Sequence, residues 1–378
     1  MYVLQVHKRF AELYLNEIKI IGVLEKTLLL DEDGIYLYIP LSRELGKEEL
    51  KKLDMGVHDT HELIKINQME NIEISSCSQI ERKSLKRKYM KMTPYDKVVA
   101  RCMEFGFPEH LSRAVPRKWE RFGEILVIRV QKVLREYETM IAEAFVEVLG
   151  VSAVYADDSG IEGELRTPRL RCLAGTKSVT THLENGIRYK FDVTGIMFSS
   201  GNIDERVHFS RFNCSGETVV DMFAGIGYFS LPLAVYGGPL KIHAIEKNPL
   251  SFRYMKTNIA NNRVQKIIDP ILGDNREVGP TGIADRVIMG YLPSAINFIP
   301  RALEFLKSSG GIIHFHYTCR KEERKIKVDK TFKDVTSERG WYYELKEIRV
   351  IKSYAPFIYH CVADVFVGVN DGKTTFST

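Results

Sequence analysis

The chain has 378 residues, 44% hydrophobic and 27% charged, ordinary for globular protein and enough for two or three domains with a sizeable core. No run of eighteen apolar residues occurs and the first residues, MYVLQVHKRF, lack a signal-peptide core, so neither a membrane span nor export is expected. The net charge of +5 permits a nucleic-acid partner without requiring one, and six cysteines without C-x-x-C spacing point to free thiols in a reducing cytoplasm.

Residues 1–75 read as a small α/β unit, with strands at 2–6 and 34–40 and a helix at 11–21 that carries Leu13, Ile18 and Ile21 on one face. Residues 76–95, including IERKSLKRKYMK, read as a basic linker or a solvated basic helix, either a solvated face or an RNA-contacting segment. A middle α/β unit covers 96–196. Pro94 opens the helix that leads into it, a strand follows at 125–130, and a long amphipathic helix is expected at 131–149. Short strands and turns then run to Val193. Arg166, Arg169, Arg171 and Lys177 cluster here; such a group either neutralises nucleic-acid phosphates or makes a solvated surface.

Residues 197–378 carry the chemistry. The apolar pair Val219-Val220 ends in Asp221, and Phe223-Ala224-Gly225-Ile226-Gly227 makes a small-residue turn into a helix. That is the first strand-turn-helix step of a nucleotide-type sheet, with glycines where a Cβ would collide with a ligand. A second strand, 241–245, ends in Glu246, an acid placed to accept both ribose hydroxyls. The third, 267–273, ends in Asp274-Asn275, whose carboxylate and amide suit the donors and acceptors of adenine. The spacing D-x-F-x-G-x-G is not G-x-G-x-x-G, so a dinucleotide pyrophosphate is disfavoured. A nucleoside without phosphates fits better, and S-adenosylmethionine is the usual one. A fourth strand, 284–289, stops at Gly290-Tyr291. A helix at 295–306, a strand at 311–317 and strands near 342–350 and 360–369 complete the sheet. Ligands of open α/β sheets sit beyond the carboxyl ends of the strands, so residues 290–294 are expected beside the reactive end of the ligand. His314 and His316 face one side of their strand without a third ligand at useful spacing, so no metal is expected.

DMFAGIGYFSLPLA, HAIEKNP, ILGDNREV, RVIMGYLPSAINFIPRALEFL and GGIIHFHY together resemble two related families of tRNA-modifying enzymes, and the resemblance extends over nearly the whole chain. One is the tRNA guanine N1-methyltransferase of archaea and eukaryotes. The other is the wybutosine-synthesising protein 2 family, which transfers the aminocarboxypropyl group of S-adenosylmethionine to the tricyclic base 4-demethylwyosine beside the anticodon of tRNA-Phe. Where the methyltransferase has F-S-P-R this chain has Phe198-Ser199-Ser200-Gly201, and where it has the asparagine of N-L-P this chain has Gly290. Two glycines cannot donate or accept by side chain, so the resemblance favours the aminocarboxypropyltransferase, as do Tyr354-Ala355-Pro356 and His360. The N1-methyltransferase remains the alternative. Residues 1–75 depart from the short members of the favoured family.

The resemblance implies a Rossmann-like class I S-adenosylmethionine-dependent transferase domain at the C-terminus, preceded by two small α/β domains. It further implies S-adenosylmethionine as aminocarboxypropyl donor, and Ser199, Arg206, Asp221, Phe223, Gly225, Glu246, Asp274 and Asn275 at its site. A cytoplasmic monomer acting on the anticodon region of tRNA-Phe, with no membrane, is expected. No catalytic base is assigned; His360 is read as a candidate or as a core histidine.

Overall fold

The computed structural model describes residues 2–7, 31–32, 36–41, 93–163, 167–292 and 295–369. The expected helix at 11–21, most of the basic linker, Arg166 and residues 293–294 lie outside them. The chain forms two compact units, 1–97 and 98–378. In the first, β1 (Tyr2–His7), β2 (Asp31–Glu32) and β3 (Tyr36–Leu41) form an antiparallel sheet in the order β1-β3-β2, with Leu41 buried.

Helix α1 (Pro94–Glu104) opens on proline, which has no N–H to leave unpaired there, and buries Val98 and Cys102. Next come β4 (Trp119–Phe122) and β5 (Ile125–Ile128), an antiparallel pair. The single helix expected over 131–149 is instead a 3₁₀ segment, Lys132–Tyr137, followed by α2 (Glu138–Leu149). Tyr137 leaves helical geometry at φ −108° and ψ 2°. Arg171 holds the carboxylate of Glu138 at 2.6 and 2.9 Å where the second helix starts. Helix α2 crosses from β5 to the parallel strand β6 (Ala153–Glu162), and β7 (Thr167–Gly175) returns antiparallel. The hairpin of β8 (Val179–Glu184) and β9 (Ile187–Asp192) turns on Asn185-Gly186, both with positive φ (47° and 78°), as a two-residue turn of matching twist demands.

The large sheet follows. Helix α3 (Ile203–Phe209) precedes β10 (Thr218–Asp221) and β11 (Lys241–Glu246). Next are α4 (Pro249–Asn261), β12 (Ile268–Leu272), β13 (Arg286–Met289), α5 (Ile299–Phe305) and β14 (Gly311–Cys319). The chain then forms α6 (Arg324–Ser337), β15 (Trp341–Ala355) and β16 (Ile358–Val369). The expected helix at 295–306 begins as a 3₁₀ turn, Ile296–Phe298, and Pro300 in the first turn of α5 marks where the α-helix starts. Sheet order is β12-β11-β10-β13-β14-β16-β15, parallel except that β16 runs antiparallel to both neighbours. The order reverses between β10 and β13, the point where such sheets open a crevice.

Both faces of the sheet are covered, so its central strands are apolar throughout; Val287, Ile288 and Met289 are fully buried, each contributing about 1.5–3 kcal/mol. On one face Val219, Ile242 and Ile288 share a continuous core with Phe122, Tyr155, Tyr189, Phe191 and Phe198. The boundary drawn from sequence between 196 and 197 crosses that core. On the other face α5 and α6 cover Val287, Ile313 and Phe315. Among the described residues, no helix is long and apolar enough to cross a membrane.

Candidate active site

A cleft of about 580 Å³ opens at the carboxyl ends of β10, β11 and β13. Its floor is set by the turn after β10. Asp221 is fully buried and accepts from Ser230 Oγ at 2.7 Å and from the Phe223 amide at 3.3 Å, so it clamps the turn to the helical segment beyond it. It does not line the cleft. Burial pushes its carboxyl up to about 7; the two donors oppose this and neighbouring Glu246 adds to it. Gly225 has φ +58°, and a Cβ there would stand 2.5 Å from the Tyr228 ring, which its hydroxyl fixes by donating to Met197 O at 2.5 Å.

Glu246, at the tip of β11, lines the cleft and uses both oxygens on backbone. Oε2 accepts the Gly225 amide and Oε1 the Asn248 amide, each at 2.7 Å. Burial raises its pKa above the ordinary carboxylate value, and these amides resist the rise. Asn248 in turn caps α4, with Oδ1 accepting from Leu250 at 2.9 Å. After β12, Asp274 meets Arg276 at 2.5 Å and Lys247 at 3.2 Å, and those cations, Arg276 first, hold it well below the ordinary carboxylate range. Asn275 donates to Met222 O at 2.8 Å, while its buried Oδ1 has no hydrogen-bond partner. An acceptor left open in this way is satisfied by an amino group such as that of adenine.

Phe223 adds an apolar wall. Its ring stacks on Tyr291 (5.0 Å, 20°) and meets Phe298 edge-on (5.0 Å, 87°). Gly290 directly follows β13, and a Cβ there would stand 2.8 Å from Phe229 Cε2. Arg206 lines the cleft but is 3% exposed and charge-matched: Glu184 takes it bidentately at 2.5 and 2.8 Å. It also donates to Ser199 O at 2.9 Å and lies over Phe198 at 4.7 Å. Ser199 Oγ accepts from Lys352 Nζ at 2.7 Å. Thus Ser199, Arg206, Phe223, Gly225, Glu246, Asp274 and Asn275 come together around one cleft, and Asp221 supports them from beneath.

The two strand histidines part ways. Arg286 can only donate, so His314 Nε2 accepts from it (2.7 Å) and Nδ1–H donates to Asp364 (2.6 Å), away from the cleft. His316 lines the cleft with His360, Nδ1 to Nε2 at 3.1 Å. Burial first, then His360, holds the His316 imidazole well below its ordinary pKa and therefore neutral. Asp364 continues through Arg349 (2.5 and 2.9 Å) to Glu205 (3.0 Å), which fastens α3 to the sheet. The only trio with metal-capable geometry among the described residues, His208, Glu347 and Asp364, has Arg349 against both carboxylates.

In the middle region the basic cluster is partly matched within the fold. Arg171 binds Glu138 and Asp158, and Lys177 binds Glu124. Sequence reasoning missed Phe298, Asn202 and Lys352 in the cleft. Phe298 sits in a 3₁₀ turn and Lys352 on an edge strand, and neither carries a local signal.

The TRM5/TYW2 methyltransferase domain matches residues 180–344 and the TYW2 N-terminal domain matches 99–178. The tRNA(Phe) (4-demethylwyosine(37)-C(7)) aminocarboxypropyltransferase of Pyrococcus horikoshii is 43% identical over 261 residues, 69% of this chain and 92% of that protein. The tRNA wybutosine-synthesizing protein 2 homolog of Danio rerio is 30% identical over 406 residues, 96% of this chain and 97% of its own. P. horikoshii TYW2 in complex with MeSAdo superposes with a TM-score of 0.65 at 40% identity, over 71% of this chain and 98% of that one. Trm5b from Pyrococcus abyssi superposes at 0.64 with 29% identity, over 97% of this chain and all of that one.

Proposed function

The chain belongs to the family of tRNA(Phe) 4-demethylwyosine aminocarboxypropyltransferases, and from that premise we propose how its cleft works. It takes the 3-amino-3-carboxypropyl group of S-adenosylmethionine and passes it to the 4-demethylwyosine base next to the anticodon of tRNA-Phe. The sulfonium donor supplies an activated carbon. The base carbon forms the new bond to it, the carbon–sulfur bond breaks, 5′-methylthioadenosine departs and the ring carbon loses its proton.

Each part of the cleft has a task in this reading. Glu246 accepts from the ribose hydroxyls, its orientation fixed by the Gly225 and Asn248 amides. Asp274 and Asn275 address adenine, and the open Asn275 Oδ1 is the fit that favours it. Phe223, Tyr291 and Phe298 exclude water beside the reacting atoms. Ser199 and Arg206 shape the loop at 199–202. Catalysis here is chiefly alignment, since holding nucleophile, carbon and sulfur in line converts a bimolecular step into an effectively unimolecular one. The protein works as a monomer in the cytoplasm.

One observation carries the choice of transferred group. At Gly290 a side chain as large as the methyltransferase's asparagine would run into Phe229, 2.8 Å from the Cβ position. S-adenosylmethionine labelled separately in the methyl and in the methionyl tail tests it, with tRNA bearing unmodified guanosine or 4-demethylwyosine. The expected outcome is tail label on the precursor tRNA, with methylthioadenosine as by-product. Methyl label on unmodified tRNA with S-adenosylhomocysteine released would hand the assignment to the N1-methyltransferase.

A further inference from the structure

Lys352 comes from a stretch to which its sequence gives no role. It follows a bulge in β15: Val350 pairs with Cys361 and Lys352 with His360, so Ile351 is the extra residue that bends the strand. Bulges of this kind re-aim side chains next to active sites. The Lys352 side chain reaches the loop ahead of α3, where Nζ donates to Ser199 Oγ at 2.7 Å. Its alkyl chain lies against Gly201. A Cβ on Gly201 would stand 3.0 Å from Lys352 Cδ and 3.3 Å from Nζ. Gly201 is not among the positive-φ glycines, so the lysine, and not the turn, is what needs a glycine there.

Lys352 lines the cleft together with Ser199. In the same loop as Ser199 and Gly201, Asn202 lines the cleft with a buried Oδ1 that has no hydrogen-bond partner. A cation and an open acceptor therefore stand at the same loop of one cleft, which is what a zwitterion requires when it leaves water.

We propose that Lys352 and Asn202 bind the charged end of the aminocarboxypropyl group, Lys352 taking its carboxylate and Asn202 Oδ1 accepting from its ammonium. The proposal rests on the aminocarboxypropyl-transfer reading and deepens it. Gly201, standing where the methyltransferase carries arginine, is then the residue that admits Lys352.

Calorimetry on the tRNA-free protein tests this with three ligands: S-adenosylmethionine, decarboxylated S-adenosylmethionine and methylthioadenosine. Lys352→Met weakens S-adenosylmethionine on the order of tenfold or more, the loss of one charge-assisted contact. It leaves decarboxylated S-adenosylmethionine and methylthioadenosine within about twofold of wild type. Gly201→Ala, which displaces the lysine, gives the same pattern. Asn202→Leu weakens both amine-bearing ligands and spares methylthioadenosine. The proposal is overturned if Lys352→Met leaves S-adenosylmethionine binding unchanged while raising KM for tRNA, or if all three affinities fall together. Because binding is read without tRNA, wild-type failure to release methylthioadenosine from precursor tRNA would sink the functional reading separately.

Discussion

The backbone amide of Gly225 donates to Glu246 Oε2 at 2.7 Å, tying the acid at the tip of β11 to the glycine turn after β10. The other oxygen holds the Asn248 amide at the same distance. One carboxylate thus orders two loops and still faces the cleft. Glu246→Gln would turn an N–H donor toward one of these amides. Charged hydrogen bonds contribute about 1.5–3 kcal/mol, so affinity for both S-adenosylmethionine and methylthioadenosine should fall on the order of tenfold or more. Unchanged dissociation constants would remove Glu246 from the site.

Arg206 and Glu184 form a pair that is almost fully buried. Removing one partner leaves an uncompensated charge, so Glu184→Gln should cost about 3–5 kcal/mol at pH 7. Burial works against the Glu184 carboxylate, but Arg206, helped by His182, outweighs it and lowers its pKa from 4.5 to about 2. The folded value is depressed, so this stability is present above pH 4.5 and is lost as pH falls through 2. Urea unfolding between pH 6 and pH 2 should therefore show a shallower acid loss in the variant. Parallel curves would mean that the pair does not govern acid stability.

Asp221 has the opposite sign. Its carboxyl is raised from 3.8 to about 7, so the folded state binds more protons than the unfolded chain. The stability it contributes is complete below about pH 4 and is lost as pH rises through 7. Asp221→Asn removes this dependence, and the stability difference between variant and wild type should change across that window. A difference that stays constant from pH 4 to 8 would contradict the raised value.

Gly290→Asn tests whether one methyltransferase residue restores methyl transfer. Phe229 is packed against Phe209 (4.8 Å) and His316 (5.1 Å), so it has little room to yield. Overpacking of this kind costs about 1–3 kcal/mol. Methylthioadenosine formation should drop without S-adenosylhomocysteine appearing. A gain of methyl transfer on unmodified tRNA would show that this position alone sets the reaction.

Deleting residues 1–75 should weaken tRNA binding more than S-adenosylmethionine binding, because every described residue that lines the cleft falls within residues 98–378. Filter binding at two salt concentrations reads the effect, since lost phosphate contacts flatten the salt dependence. Equal tRNA affinity and an equal slope would give that unit another task.

The sequence by itself determined what is encoded locally. Val219-Val220-Asp221, the glycine turn and the acids at 246 and 274 each follow from a buried strand that must end and a helix that must start. Their positions at the sheet's carboxyl edge then come with parallel connection. Gly201 and Gly290 were legible as departures from a family pattern, but their physical reasons were not. Only the tertiary structure sets Lys352 against Ser199, 153 residues away, through a bulge and the antiparallel register of β15 on β16. The antiparallel register of β16 on β14 brings His360 to His316, and the 3₁₀ turn ahead of α5 delivers Phe298 to Phe223. Asp221 reads as a site acid in sequence, yet packing from every side withdraws it from the cleft and makes it a clamp. Such contacts depend on pairing and packing between distant segments, for which the chain carries no local period or spacing.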